Sequence, residues 1–154
     1  MSSEHRCCDS TSFGPGYKSS LDAMQNGPHE EYLYIVMISC DETKPDYLAT
    51  IDINPHSSRY QQVVSRVYAQ QPQDEFHHFG WNTCSSCHGD QEKKRRFLII
   101  GTLKSSCLYI IDTADVQKQK IHKIIHTDEL KKWDLSAPHT IHCLGMCRFF
   151  SFDS

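Results

Sequence analysis

The sequence lacks an apolar run long enough to cross a bilayer. A transmembrane helix needs about 20 consecutive apolar residues, whereas the longest candidate here covers only residues 32–39. Residues 1–8 also carry no apolar signal-peptide core. We therefore expect a soluble protein without a transmembrane segment, located in the cytoplasm, with the nucleus as an alternative location.

An excess of charge of one sign is missing as well. The chain carries 16 Lys and Arg against 19 Asp and Glu, which gives a net charge of −3. Because no positive field covers such a surface, nucleic acid is not an expected partner. The basic run at residues 93–96 is expected to be a solvated face. The charge does not exclude small polar ligands, and the sequence indicates no particular protein partner.

Soft metal ligands, in contrast, are abundant. The chain has eight Cys and ten His in 154 residues. In a reducing compartment this combination favours thiol or metal chemistry over a disulfide framework. The length fits one domain over residues 1–154, and a hydrophobic content of 38% can form a core.

The hydrophobic pattern predicts a mainly β fold. Short runs of aromatic and β-branched residues between turn-forming residues are typical of strands. Residues 1–30, with Gly14-Pro15-Gly16 and Gly27-Pro28, are predicted to be an irregular lead-in. One short helix is predicted near residues 127–133, with Thr127 as its N-cap. The predicted strands cover residues 32–39, 47–53, 60–69, 97–103, 107–113 and 121–125.

Two parts of the chain repeat at a spacing of 60 residues. Units of strand, Asp-containing turn and strand are typical of β-propeller blades, which have about 40–50 residues in familiar cases. Residues 74–90 lie between the repeats and are interpreted as an inserted loop that carries the chemistry. The shift superposes Leu48 on Leu108, Ile51 on Ile111 and Asp52 on Asp112.

Cys84 and Cys87 form a Cys-x-x-Cys pair within this insertion. The spacing allows two sulfurs to bind one metal ion or to close a small redox disulfide. A thioredoxin-type site is disfavoured, because Gly89-Asp90 follows where that motif needs a helix. Alternatively, both cysteines are buried, unreactive residues that act as small apolar side chains.

Two histidine clusters flank or follow the cysteine pair. His77 and His78 precede Cys84, and a later segment carries His139 and His142 beside a further thiol. Imidazole and thiolate together suit copper or zinc better than magnesium or calcium. A folded chain that brings the clusters together would therefore bind a soft metal ion.

Four other features have weaker interpretations. Trp81 either walls a small-substrate pocket or anchors its loop to the core, with the core slightly favoured. Cys40 and Cys107 fall in strand patterns and are predicted to be structural. The adjacent Cys7-Cys8 is expected to be exposed in the lead-in.

Four motifs, taken in order, resemble the selenium-binding protein family, whose members are also called methanethiol oxidases. The resemblance extends from about residue 13 to residue 143, and its most specific part is the Trp-Asn-x-Cys-Ser-Ser-Cys core. The motifs are Phe13-Gly14-Pro15-Gly16-Tyr17, Pro45-Asp46-Tyr47-Leu48-Ala49-Thr50, His77-His78-Phe79-Gly80-Trp81-Asn82-Thr83-Cys84-Ser85-Ser86-Cys87 and His139-Thr140-Ile141-His142-Cys143.

The resemblance implies a seven-bladed propeller in a much longer chain. At about 40–50 residues a blade, 154 residues hold two or three blades. Residues 144–154 depart from the family's continuation. We therefore expect the N-terminal part of a family member, a truncated and incomplete propeller.

The implied activity is copper-dependent oxidation of methanethiol with oxygen and water to formaldehyde, hydrogen sulfide and hydrogen peroxide. His77, His78, His139 and His142 match the family's histidine motifs and are the expected copper ligands. Cys84 and Cys87 match its paired cysteines, which ligate the metal, exchange electrons or receive the sulfur substrate, and they are the candidate selenium attachment sites. A cysteine linked to selenium in some relatives falls at Gln61, so that attachment is in doubt here.

Two alternatives remain open. The chain is either an oxidase-type protein or a noncatalytic fragment that binds selenium or metal, or contacts partners through uncovered strand edges. A structural zinc module built on Cys84, Cys87, His139 and His142 is less favoured, because its halves are far apart in sequence.

Overall fold

The computed structural model describes residues 16–144 and 147–152, so the predicted exposure of Cys7-Cys8 lies outside the described residues. Strands dominate this part of the chain, as the hydrophobic pattern predicted. The elements are α1 (Ser20–Asn26), β1 (Tyr32–Met37), β2 (Tyr47–Asp52), β3 (Val63–Tyr68), β4 (Phe76–Trp81), a 3-10 helix (Ser85–Cys87), β5 (Phe97–Thr102), β6 (Leu108–Asp112), β7 (Lys120–Ile125), α2 (Thr127–Lys131), β8 (Pro138–Leu144) and β9 (Cys147–Phe152).

All strand pairs are antiparallel and connect strands that are consecutive in the chain. Sheet A has the order β1-β2-β3, and sheet B has the order β4-β5-β6-β7. Strands β8 and β9 form a separate hairpin, hairpin C. Among the described residues, no helix is both long and apolar enough to span a membrane.

Sheet B lies between sheet A and hairpin C, which explains the unbroken apolar run of β5. Leu98 and Ile100 belong to the core cluster shared with Leu48 of sheet A. Ile99, on the opposite face of the same strand, belongs to a second cluster with Ile141 of β8. Because both faces of the strand are covered, apolar residues occupy successive positions instead of alternating with polar ones.

The 60-residue repeat has a structural counterpart. Leu48 and Leu108, at the repeated position of β2 and β6, are both almost completely buried. Each of the two strands changes register with its next strand at the same repeat position, after Thr50 in β2 and after Ile110 in β6.

The repeated aspartates also play the same local role. The carboxylate of Asp52 accepts the backbone N–H of Asn54 at 3.0 Å, and that of Asp112 accepts the N–H of Ala114 at 3.1 Å. Each aspartate thus closes a turn at the end of its strand.

The predicted short helix is present as α2, but a second short helix, α1, lies inside the predicted irregular lead-in, of which residues 1–15 lie outside the described residues. Helix α1 begins inside residues 1–30, and Ser19 caps it by accepting the N–H of Asp22 at 3.1 Å. The nearby glycines and prolines outweighed this capping signal in the sequence. Helix α2 lies where it was predicted, but His126 occupies the N-cap and Thr127 is the first helical residue.

The interpretation of residues 74–90 as an inserted loop was also partly wrong. Phe76–Trp81 is strand β4, the edge strand of sheet B. Two histidines and a glycine interrupt its apolar pattern, so the period of two was not visible. Cys40 was likewise misplaced, since it is exposed in a turn after β1, whereas Cys107 is buried in the main core.

Candidate metal site

Three imidazole rings converge where β4 meets β8. The rings of His77 and His78 stack with their centroids 4.5 Å apart and an interplanar angle of 19°. The ring of His139 lies 4.7 Å from that of His77 and 4.3 Å from that of His78. Candidate ligand atoms of all three side chains lie within 4.8 Å of one another. Two histidine motifs that are 61 to 62 residues apart in sequence therefore form one group.

A break in the register of β4 explains why two consecutive histidines share one side. Phe76 pairs with Thr102 and Phe79 with Ile100, so His77 and His78 together face the single residue Gly101. Two residues opposite one is the count of a β-bulge, which interrupts the alternation of side chains between the faces of a strand. The stacked rings follow from this bulge.

Strand β8 has a matching irregularity at its own histidine. Pro138 pairs with residue 152 and Ile141 with residue 150, so His139 and Thr140 face the single residue 151. The Nδ1 atom of His139 lies 3.1 Å from the hydroxyl of Thr140, within hydrogen-bond distance. This contact orients the His139 ring toward β4.

Two glycines of sheet B allow β8 to approach. A Cβ atom on Gly80 would lie 2.5 Å from the carbonyl oxygen of Ile141, and one on Gly101 would lie 2.3 Å from that of Pro138. No side chain fits in these gaps. The absence of a Cβ at both positions therefore sets the close packing that brings the three imidazoles together.

An open pocket of about 420 Å³ lies beside the histidines. His142 is exposed and lines this pocket, but it lies outside the group formed by the other three imidazoles. His142 lies between the buried residues Ile141 and Cys143 and points away from sheet B. The lining residues are His77, His78, Phe79, Thr140, Ile141 and His142.

The paired cysteines converge on a third cysteine, Cys143 of β8. The Cys84 thiol lies 2.9 Å from the carbonyl oxygen of Cys143 and 2.9 Å from the hydroxyl of Ser86. The sulfurs of Cys87 and Cys143 are 3.5 Å apart. The sequence indicated Cys143 only as the thiol that ends the His139–Cys143 motif, and its position next to two histidines was the available signal.

The thiols and the imidazoles form separate groups. His139 and Cys143 are four residues apart on one strand, which corresponds to about 13 Å at 3.3 Å per residue. Among the described residues, the only group of three or more metal-ligating side chains is the histidine group. The four ligands of the zinc alternative, Cys84, Cys87, His139 and His142, therefore do not come together.

Trp81 contributes to the core and not to the pocket. Its indole packs edge-on against Tyr34 with centroids 5.5 Å apart, and it contacts the main core cluster. The guanidinium of Arg95 lies 5.4 Å from the indole centroid. Arg96, the last residue of the basic run, makes an ion pair with Asp112 at 2.6 Å.

Two polar contacts support sheet B behind the site. The Arg96 guanidinium, which donates two hydrogen bonds to Asp112, holds the pKa of that carboxyl well below its usual range. Burial, together with a hydrogen bond to the Asp74 carboxylate, raises the pKa of Tyr109. The Tyr109 hydroxyl also accepts the backbone N–H of Gln70 at 3.0 Å.

Comparison with known proteins decides the family. Residues 11–151 match the family described as 56kDa selenium binding protein. The chain belongs to this family. It is 50% identical over 138 residues to a methanethiol oxidase of Xenopus laevis and 44% identical over 143 residues to selenium-binding protein 3 of Arabidopsis thaliana, matches that cover 87% and 90% of the chain. The resemblance seen in the motifs is thus confirmed.

A solved structure of this family has the same fold. A hypothetical selenium-binding protein from Sulfolobus tokodaii superposes with a TM-score of 0.79 at 37% identity, over 88% of this chain and 31% of that one. The chain spans 29% of the length of the Xenopus and Arabidopsis relatives. Gln61, where some relatives were expected to carry a cysteine, is exposed in the turn between β2 and β3.

Proposed function

We propose that this chain binds copper through His77, His78 and His139 and forms the metal-binding part of a methanethiol oxidase-type oxidoreductase. The convergence of the three imidazoles carries the proposal. The relatives named methanethiol oxidase supply the reaction class.

The donor set fits copper. Imidazole nitrogens suit copper, zinc, iron and nickel, whereas oxygen ligands are preferred by magnesium and calcium. Two nitrogens on one ion at bond lengths of about 2.0–2.1 Å are separated by no more than about 4.2 Å. Because the nitrogens here already lie within 4.8 Å, small ring rotations are enough to bring them onto one ion.

We further propose that sheets A and B and hairpin C are successive parts of a seven-bladed propeller. Antiparallel sheets of consecutive strands, packed face to face, support this assignment. In this arrangement β4 and β8 meet as neighbouring strands of adjacent blades, and the metal site lies at their junction.

The reaction would convert methanethiol, oxygen and water to formaldehyde, hydrogen sulfide and hydrogen peroxide. Copper, when bound, supplies the electron transfer between the substrate and oxygen. The pocket beside the site is large enough for methanethiol, and Phe79 and Ile141 offer apolar contacts for its methyl group. His142 lines the same pocket, where its imidazole is placed to exchange protons with the substrate or with water.

The paired cysteines are proposed to have a role other than copper ligation. Cys84 and Cys87, which match the family's paired cysteines, lie at the other end of β8 from His139. They are therefore proposed to exchange electrons or to bind sulfur or selenium, but not to ligate the copper ion held by the imidazoles.

Copper binding is the direct test. Reconstitution of the apoprotein should give one copper per chain, and His77→Ala combined with His139→Ala should abolish it. His56→Ala removes an exposed histidine outside the group and is the matched control. Unchanged copper stoichiometry in the double variant would reject these ligands.

A noncatalytic, metal- or selenium-binding role is the second candidate. The observation that favours it is that the three imidazoles meet within the described residues, so this group can bind a metal ion whether or not a complete catalytic site is present. Oxygen-dependent release of hydrogen sulfide from methanethiol by the copper-loaded chain would eliminate this candidate. Stoichiometric copper without hydrogen sulfide release would support it.

A further inference from the structure

We propose that Cys87 and Cys143 form a reversible disulfide when the protein meets a peroxide. The Cys-x-x-Cys spacing instead points to a disulfide between Cys84 and Cys87. The proposal needs neither copper nor methanethiol and is independent of the proposed function.

The positions of the sulfurs select the pair. The Cys87 and Cys143 sulfurs lie 3.5 Å apart, in direct contact. A disulfide bond is about 2.05 Å long, so the two atoms need to approach by only about 1.5 Å. The Cys84 thiol also contacts two oxygen atoms, the carbonyl oxygen of Cys143 at 2.9 Å and the hydroxyl of Ser86 at 2.9 Å.

The segment that carries Cys87 is built to make this small movement. Cys87 ends a 3-10 helix of only three residues, and Ser85 and Ser86 in that helix are exposed. Gly89 follows with φ of +88°, and a Cβ atom added there would meet nothing within 4 Å. The loop is therefore open to solvent at Ser85, Ser86 and Gly89, which favours a small backbone adjustment toward β8, while Cys143 is held by its strand.

The chemistry balances with hydrogen peroxide as the only added reagent. One thiol of the pair loses its proton, and its sulfur takes an oxygen atom from the peroxide to become a sulfenic acid, with release of one water. The second sulfur then attacks the first, forms the S–S bond and releases the second water. Both thiols are oxidised, and one hydrogen peroxide is reduced to two waters.

The bond would link the loop after β4 to strand β8. Strands β4 and β8 carry the clustered histidines. Cys87 and Cys143 are 3% and 8% exposed, so the resulting disulfide would be reduced more slowly than one on the surface. Because the cross-link closes a long loop of the unfolded chain, the oxidised protein should melt at a higher temperature than the reduced protein.

The test is peptide mapping of the full chain, kept metal-free with a chelator. Reduced protein is treated with hydrogen peroxide, remaining thiols are alkylated, and non-reducing digests are analysed by mass spectrometry. The expected product is a cross-linked peptide pair containing Cys87 and Cys143, which disappears on treatment with dithiothreitol. Cys84→Ser should retain this product, whereas Cys143→Ser should lose it. Cys40→Ser, which removes an exposed thiol elsewhere, is the control for nonspecific oxidation.

Two results would overturn the proposal. One is a Cys84–Cys87 disulfide as the main product in the wild-type chain. The other is an absence of any Cys87 cross-link at a peroxide concentration that oxidises Cys40. Both are read from the wild-type protein, so the conclusion does not depend on whether a variant folds. Neither changes the copper stoichiometry that tests the proposed function.

Discussion

Gly80 and Ile141 are in such close contact that a Cβ atom on Gly80 would lie 2.5 Å from the carbonyl oxygen of Ile141. Gly80 follows the two histidines of β4, and Ile141 follows His139 in β8. The distance between the two strands that carry the clustered histidines is therefore set by two backbones and not by flexible side chains. Any atom inserted here moves one strand relative to the other.

Gly80→Ala should consequently weaken copper binding while leaving every imidazole in the sequence. Overpacking typically costs about 1–3 kcal/mol, which corresponds to a loss of about 5- to 150-fold in copper affinity when the cost falls on the site. Copper affinity measured by competition with a chelator is the assay. In Gly89→Ala the added methyl meets no neighbouring atom and strains only the local backbone, whose φ is +88°, so this variant should keep wild-type copper affinity. Equal affinities for the two variants would contradict the packing argument.

His139→Ala and His142→Ala should separate ligation from pocket function. Loss of His139 removes one of three clustered imidazoles and should reduce copper affinity more than about 100-fold, since even indirect contacts to metal ligands are worth 10–100-fold. Loss of His142 should leave copper stoichiometry unchanged, because this residue lines the pocket without joining the group. Metal analysis of the two purified variants is the measurement, and a copper-free His142 variant would assign that residue to the ligand set instead.

Tyr109→Phe should destabilise the fold without touching the site. The Tyr109 hydroxyl donates to the buried carboxylate of Asp74 and accepts the N–H of Gln70. Its removal leaves buried polar groups without this partner, which costs about 1–3 kcal/mol. Urea unfolding gives the free energy directly. Tyr60→Phe, at an exposed tyrosine, should have no comparable effect.

Asp112→Asn should change how stability depends on pH. The pKa of Asp112 is lowered by Arg96, so the folded state favours the ionised carboxylate. Its contribution is present above the ordinary aspartate pKa of about 3.9 and is lost as pH falls below that value. The variant should therefore melt below wild type at pH 7, and the gap should narrow as the pH falls below about 4. A gap that is constant with pH would show that the ion pair is not its source.

Much of the strand pattern was readable from local composition. The runs that became β1, β2, β5, β6 and β7 are rich in aromatic and β-branched residues, and turn-forming residues bound most of them. Strand β4 was not readable, because His77, His78 and Gly80 replace the expected alternation with a bulge and a close approach. Helix α1 was not predicted, although Ser19 is a valid N-cap, because the glycines and prolines around it favour turns.

The sequence predicted which residue types form the site but not how they are arranged in space. The sequence grouped the histidines into two clusters, and the resemblance to the family named His77, His78, His139 and His142 as candidate ligands. Only the packing of β8 on sheet B separates them into three clustered imidazoles and one pocket residue. The same packing sets Cys87 against Cys143, a relation that no local spacing predicts.

The amino-acid sequence by itself determined the family, the β-rich class and the supply of imidazoles and thiols, because composition, local periodicity and short motifs are properties of neighbouring residues. The tertiary structure decided which of those groups meet. Contacts between residues 60 positions apart depend on strand register, on bulges and on glycines that allow two backbones to touch, and these are settled only when the sheets pack.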